Sequence, residues 1–209
     1  MKLYDYYRST ACYRVRIALN LKNINYEKIL VHLINNGGEQ HQSEYRALNP
    51  QGLIPTLDEN GHCLTQSLAI IEYLDEINPN PPLLPQTPLG RAHVRSLAMT
   101  IACDTHPLNN LRVLQRLNHQ FSADENQVNL WYHHWLQLCF DTLETRLQQY
   151  NRHDFCYGNT ITLADICLIP QIYNAHRFNF SMDNYPILNT INTHCLNLTI
   201  FKSASPEMQ

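Results

Sequence analysis

The chain has 209 residues, 44% of them hydrophobic and 16% charged, enough for one or two domains with a real core. A formal net charge of -3 with no long basic run speaks against nucleic-acid binding, and no apolar run approaches the ~20 residues of a membrane span. The first residues lack the apolar core of a signal peptide, and the seven cysteines are scattered, odd in number and without Cys-x-x-Cys, the pattern of a reduced, cytoplasmic protein rather than a disulfide framework.

Residues 2–6 read as a first strand and 10–22 as a helix, with Val15, Ala18, Leu19 and Leu21 at helical spacing. The change falls at Arg8, Ser9 and Thr10, where hydroxyl side chains can cap the new helix. A strand that ends at a helix start offers backbone N–H groups and the positive end of a helix dipole, so this turn suits an anion. Cys12 and three arginines, Arg8, Arg14 and Arg16, lie around it. No glycine-rich phosphate loop is present, so a thiolate or carboxylate fits better than a nucleotide. Residues 26–31 read as a second strand, giving a β-α-β unit with a parallel pair. Residues 35–47 are polar and read as a loop with one short helix. Ile54–Pro55 is a candidate cis bond opening a strand at Thr56; 58–61 is a turn and 63–65 a last, antiparallel strand. Ser67 is the expected N-cap of an amphipathic helix through Leu68, Ile71, Leu74 and Ile77. Its third following residue is Ile70, not Glu, so the first turn keeps N–H donors for water or a ligand carboxylate.

Residues 78–88 hold five prolines, which neither a helix interior nor a central strand accepts, and read as a linker. All that follows is helical in pattern: 89 to about 117 with a bend at 104–107, then 125–150 with Trp131, Trp135, Leu138 and Leu143 near one face. A Thr162-to-Asp165 start signal precedes the apolar run 166–172, and a last helix covers 186 to about 198. The histidines lack metal-ligand spacing, so no metal is expected, and no Gly-x-Ser-x-Gly elbow supports a hydrolase. His106, beside the expected bend, reads either as cleft-facing or as solvated surface. Arg177, at the end of an apolar helix, suits either terminal carbonyls or a carboxylate.

The segments Arg8–Leu19, Asn49–Leu57, Gln66–Leu74, Thr162–Gln171 and Ala175–Phe178 together resemble the zeta class of glutathione transferases, the class that includes maleylacetoacetate isomerase. The likeness spans nearly the whole chain; the Ile-Pro and Gln-Ser pieces are general to glutathione transferases, and Arg-Ser-Thr followed by Arg-Val-Arg-Ile-Ala-Leu is specific to the class. It implies an α/β thioredoxin-like N-terminal domain (1–78), a Pro-rich linker (79–88) and an all-α C-terminal substrate domain (89–209). It implies glutathione as cofactor and isomerisation of maleylacetoacetate to fumarylacetoacetate by reversible thiolate addition, in a homodimer. The alternatives are maleylpyruvate isomerisation, general glutathione conjugation, or a non-catalytic binding protein.

Residue by residue, the resemblance gives Ser9 the glutathione sulfur, with Thr10 and Cys12 in the same catalytic turn. Gln40, the Ile54 backbone, Gln66, Ser67, His106 and Asn110 receive the tripeptide. Arg8 and Arg177 face the carboxylates of a small dicarboxylate enone. Many members carry Cys where this chain has Ala11, and Ser where it has Cys12. A thiol is a weak hydrogen-bonding group, so Cys12 reads as a packing residue or a target of oxidation.

Overall fold

The computed structural model describes residues 1–149 and 154–209, which fall into two compact units: Met1–Pro82 with Leu198–Gln209, and Leu83–Asn197. The resemblance implied an all-α domain over 89–209; residues 198–209 instead group with the first unit.

In that unit β1 (Lys2–Asp5), β2 (Glu27–Leu30), β3 (Thr56–Glu59) and β4 (His62–Thr65) form one sheet in the order β2-β1-β3-β4. β1 and β2 are parallel, as the intervening α1 (Thr10–Leu21) requires, and β3 runs antiparallel to both β1 and β4. Ile54–Pro55 is cis, and so is Asn80–Pro81. The β3–β4 turn is tighter than 58–61. Only Asn60 and Gly61 make it, both at positive φ (52° and 87°), and Asp58 Oδ1 accepts the Gly61 N–H at 2.7 Å. The polar loop contains α2 (Ser43–Leu48), preceded by two 3₁₀ turns.

α1 is buried from Thr10 to Leu19, packed on α3 (Ser67–Ile77) and α9 (Thr199–Ala204). That enclosure adds one finding and corrects one expectation. Arg14 and Arg16, placed around the turn by the sequence, are 1% and 0% accessible, and Arg16 pairs with fully buried Asp5 at 2.7 Å. Residues 186–198 do not hold the last helix, because α9 follows α8 (Pro186–Asn197); Leu198, between them, is extended. Removing one partner of a buried pair such as Asp5–Arg16 costs about 3–5 kcal/mol.

The second unit is all helical: α4 (Pro88–Met99), α5 (Leu111–Phe121), α6 (Glu125–Gln148), α7 (Leu163–Arg177) and α8. α4 starts one residue before the expected 89, because Pro88 sits at the first helical position, where no N–H is needed, and Thr87 Oγ1 accepts the Gly90 N–H. The expected long helix to 117 is two helices. A π-type segment at Thr100–Thr105, closed by His106 N–H to Ile101 O at 2.9 Å, leads into the turn at Pro107. On α6 the buried stripe is Val128, Tyr132, Leu136, Cys139, Phe140, Leu143 and Leu147; Leu138 is exposed, and Trp131 is half-buried with its indole N–H on Leu108 O. The expected helix end at residue 150 lies outside the described residues. No helix among the described residues is long and apolar enough to cross a membrane.

Candidate active site

Ser9 is the N-cap of α1. Its backbone is extended (φ -74°, ψ 120°), and its Oγ accepts the Cys12 N–H at 3.2 Å. A serine hydroxyl carries one hydrogen and two lone pairs, so the accepted bond leaves the O–H able to donate, to the neighbouring Cys12 sulfur or to a ligand. The side chain is half-buried, α1 has no acid in its first turn, and the Ala11 N–H has no partner among the described residues. Positive dipole and one hydroxyl donor therefore meet at a helix start without an acid. Thr10 is buried beside it. Cys12 is fully buried, and burial, reinforced by the Asp5 carboxylate, pushes its thiol far above the ordinary range, so it stays protonated.

The second open helix start is that of α3. The expected N-cap, Ser67, is instead the first helical residue, and Gln66 occupies the cap at φ 70° with no side-chain cap bond. A non-glycine residue in that region is strained, and such outliers gather at functional sites. Gln66 Nε2 donates to Gln51 Oε1 at 3.0 Å. The Ser67 hydroxyl cannot cap because it is turned inward, accepting from Arg14 Nη1 at 3.4 Å. Ile70 N–H is the first to bond within the helix, to Gln66 O. The N–H groups of Ser67, Leu68 and Ala69 have no partner among the described residues, and the turn holds no acid.

Between these starts runs the loop carrying Ile54. Tyr45 Oη and Asn49 Nδ2 both donate to Leu53 O, at 2.6 and 2.7 Å, and Thr56 Oγ1 lies 2.9 Å from Tyr45 Oη. Burial pushes the Tyr45 hydroxyl up to about 12, so it remains a donor. With its neighbours pinned, the Ile54 backbone N–H and C=O are left without partners among the described residues. Gln40 is buried, its Nε2 on Leu33 O at 3.3 Å and its Oε1 unpartnered. Gly52 (φ 62°) lets the loop approach it, since an added Cβ would stand 3.0 Å from Gln40 O. Sequence reasoning missed Tyr45, which carries no local signal, and Asn49, whose Asn-Pro dipeptide marked only a turn.

Arg8 is exposed, its guanidinium 5.1 Å from the Tyr7 ring, and pairs with no acid among the described residues. Thus Arg8, Ser9, Thr10, Cys12, Gln40, Ile54, Gln66 and Ser67 share the first unit.

His106, Asn110 and Arg177 belong to the second. His106 ends the π segment, and Asn110 caps α5, its Oδ1 accepting the Arg112 N–H at 3.1 Å. Arg177 lies over the Phe178 ring at 5.0 Å and donates to no terminal carbonyl among the described residues, which sets aside a cap for α7. Tyr132, unnoticed in the sequence, ties these segments. Its carbonyl accepts from Asn109 Nδ2 at 3.1 Å, its hydroxyl bonds Asn174, and its ring stacks on Phe178. No group of three His, Cys, Asp or Glu side chains among the described residues is placed to hold a metal.

Comparison with known proteins fits this geometry. The family model of the glutathione S-transferase N-terminal domain matches residues 3–82. The class of protein is therefore a glutathione transferase: a thioredoxin-like α/β unit combined with an all-α one. A probable maleylacetoacetate isomerase of Vibrio cholerae is 48% identical over 99% of this chain and 96% of its own. The holo structure of a bacterial zeta-class maleylpyruvate isomerase is 43% identical, with a TM-score of 0.97 over 100% of this chain and 98% of that one. The maleylacetoacetate isomerase of Methylobacterium extorquens AM1, solved with malonate and glutathione, is 40% identical, with a TM-score of 0.95 and the same coverage. The chain belongs to the maleylacetoacetate isomerase family, the zeta class of the glutathione transferases.

Proposed function

We propose that the protein is a glutathione-dependent cis–trans isomerase that converts maleylacetoacetate to fumarylacetoacetate. The observation that carries this reading is the Ser9 cap: a half-buried hydroxyl that accepts the Cys12 N–H and keeps a hydrogen to donate, at a helix start that no acid fills. A glutathione sulfur placed there receives a hydrogen bond and a positive field, both of which favour thiolate over thiol. The thiolate adds to the cis double bond of the enone, and the charge passes to the ketone as an enolate. The former double bond is now single and rotates; the enolate then collapses, re-forms the bond as trans and expels the thiolate. No atom is gained or lost, and glutathione is regenerated. The protein contributes orientation and charge stabilisation.

In this reading the γ-glutamyl carboxylate takes the unfilled N–H groups of α3 with Gln66 and Ser67. The cysteinyl backbone pairs with Ile54, and Gln40, His106 and Asn110 complete the tripeptide contacts. Arg8 and Arg177, exposed cations without an acid partner among the described residues, take the two substrate carboxylates. Thr10 supports the turn, and Cys12 packs beneath it without reacting. Maleylpyruvate is the second substrate to try, because one solved relative at 43% identity is named for it. We also take the chain to be a homodimer of the reducing cytoplasm; its free cysteines support the compartment, and sedimentation equilibrium tests the dimer.

The test is incubation of the purified protein with glutathione and maleylacetoacetate, then maleylpyruvate, following loss of the enone absorbance and the fumaryl product. Product with the first and little with the second is expected. Retention of glutathione without turnover of either would replace the isomerase with a binding protein.

A further inference from the structure

Arg16 lies two turns inside α1 and is fully buried, an unusual place for a guanidinium unless its nitrogens have targets. All three do. Nη1 donates to Asp5 Oδ1 at the end of β1 at 2.7 Å, Nη2 to Tyr7 O in the turn before α1 at 3.0 Å, and Nε to Ala204 O at the end of α9 at 2.9 Å. Seven residues separate Arg16 from Ser9, so the two share a helix face about 10 Å apart along the axis. Helical side chains lean toward the N-terminus, which points the long arginine back at the turn.

The turn is set by two bonds. Ser9 N–H to Tyr6 O at 2.9 Å closes it, leaving the Tyr7–Arg8 peptide plane as the free rotation. The Tyr7 carbonyl belongs to that plane, and Arg16 holds it. Fixing the plane fixes the backbone that delivers both Arg8 and Ser9. The other two donors tie this restraint to β1 and to the C-terminal helix, whose Phe201 O and Ile200 O also accept from Tyr13 Oη (3.2 Å) and Asn20 Nδ2 (3.2 Å) on α1.

We propose that Arg16 is a positioning residue for the Ser9 turn, and that α9, through the Ala204 carbonyl, anchors it. The proposal rests on the reading of Ser9 given above. It makes the last dozen residues part of the machinery that sets the hydroxyl, rather than a tail packed on the fold.

Arg16→Lys keeps a positive charge beside Asp5 and removes the fork. At saturating glutathione, kcat is expected to fall about 10- to 100-fold, with less ultraviolet absorbance from bound thiolate. The KM for glutathione should stay within about twofold, because Ile54, Gln66 and Ser67 are untouched. Asp58→Ala, which removes the Asp58–Gly61 bond of the β3–β4 turn and lies on neither α1 nor α9, should lower stability with kcat unchanged. Equal kcat and thiolate absorbance in wild type and Arg16→Lys would overturn the proposal, as would equal losses in both variants.

Should Arg16→Lys fail to fold, native-state hydrogen exchange of the wild-type chain in low urea decides. The amides of Ser9 and Cys12 should open together with those of α9, at one free energy and one urea dependence. Fraying of α9 while Ser9 and Cys12 stay protected would overturn the proposal. If the wild-type chain turned over no substrate, the isomerase reading would fall, and the exchange measurement would still decide the role of Arg16.

Discussion

Four helix starts differ in where their negative charge comes from. α7 is capped by its own acid: Asp165, fully buried, accepts from Thr162 N–H (2.8 Å), Thr162 Oγ1 (2.7 Å) and Cys156 N–H (2.7 Å). Burial pushes the Asp165 carboxyl up, against the pull of those bonds. α8 borrows an acid from α6, Glu144, which accepts the N–H groups of Ile187 and Leu188 at 2.9 and 3.1 Å. α1 and α3 have no acid in the first turn, and neither receives one from elsewhere among the described residues. At α7 and α8 the backbone dipole thus meets an acid from within the protein, and at α1 and α3, where the proposed scheme brings an anion, it does not.

The sharpest way to break that contrast is to empty a filled start. Asp165→Ala leaves two buried backbone N–H groups without acceptors and should cost about 3–5 kcal/mol, read as a lower urea midpoint at unchanged slope. Its effect on glutathione KM should be small, since α7 serves no ligand anion in this scheme.

Next is loss of the donor at an open start. Ser9→Ala should lower isomerisation about 100-fold, near the effect of removing one oxyanion donor, and cost about 1 kcal/mol of stability through the lost cap. Full-rate isomerisation in that variant would remove Ser9 from the mechanism.

Filling an open start should give a smaller effect of opposite character. Ala69→Glu places a carboxylate in the first turn of α3, where Ala69 is exposed. It should raise stability by about 0.5 kcal/mol and raise the KM for glutathione several-fold, because it competes for the same N–H groups. Higher stability with unchanged KM would show that no ligand anion uses that start.

The smallest effect at working pH comes from the thiols. Burial pushes Cys12 and Cys156 well above their ordinary value of 9.0. A raised folded value means their stabilisation is fully present below the unfolded value and is lost as pH climbs through the folded one. The contribution of these thiols to the melting temperature should be flat from about pH 6 to 8.5 and should fall above about pH 9. In the same neutral window a thiol alkylator should label exposed Cys103 and leave Cys12 intact.

Local chemistry made the open starts legible before any coordinates. Ser9 follows a strand-like run and precedes helical spacing, and the absence of an acid three residues after Ser67 is visible as Ile70. Ser67 shows where that legibility stops. Its type is that of a cap, yet Arg14, 53 residues away in sequence, draws its hydroxyl inward, and Gln66 takes the cap position with a strained backbone. Tyr45 and Tyr132 gave no signal, and Arg16 showed only its place near the turn, because each acts through partners that the local sequence does not name.

The sequence by itself determined the order of elements, the cis Ile54–Pro55, the Ser9 cap and the family, since these follow from short-range propensity and from motifs read in line. The tertiary structure alone decided that Arg14 and Arg16 are buried, that residues 198–209 join the first unit, and that the bend near His106 is a π segment. The physical reason is enclosure: once α1 is covered on every side, a charge that periodicity assigns to solvent has to find its acceptors inside, and nothing local says which strand, turn or terminal helix will supply them.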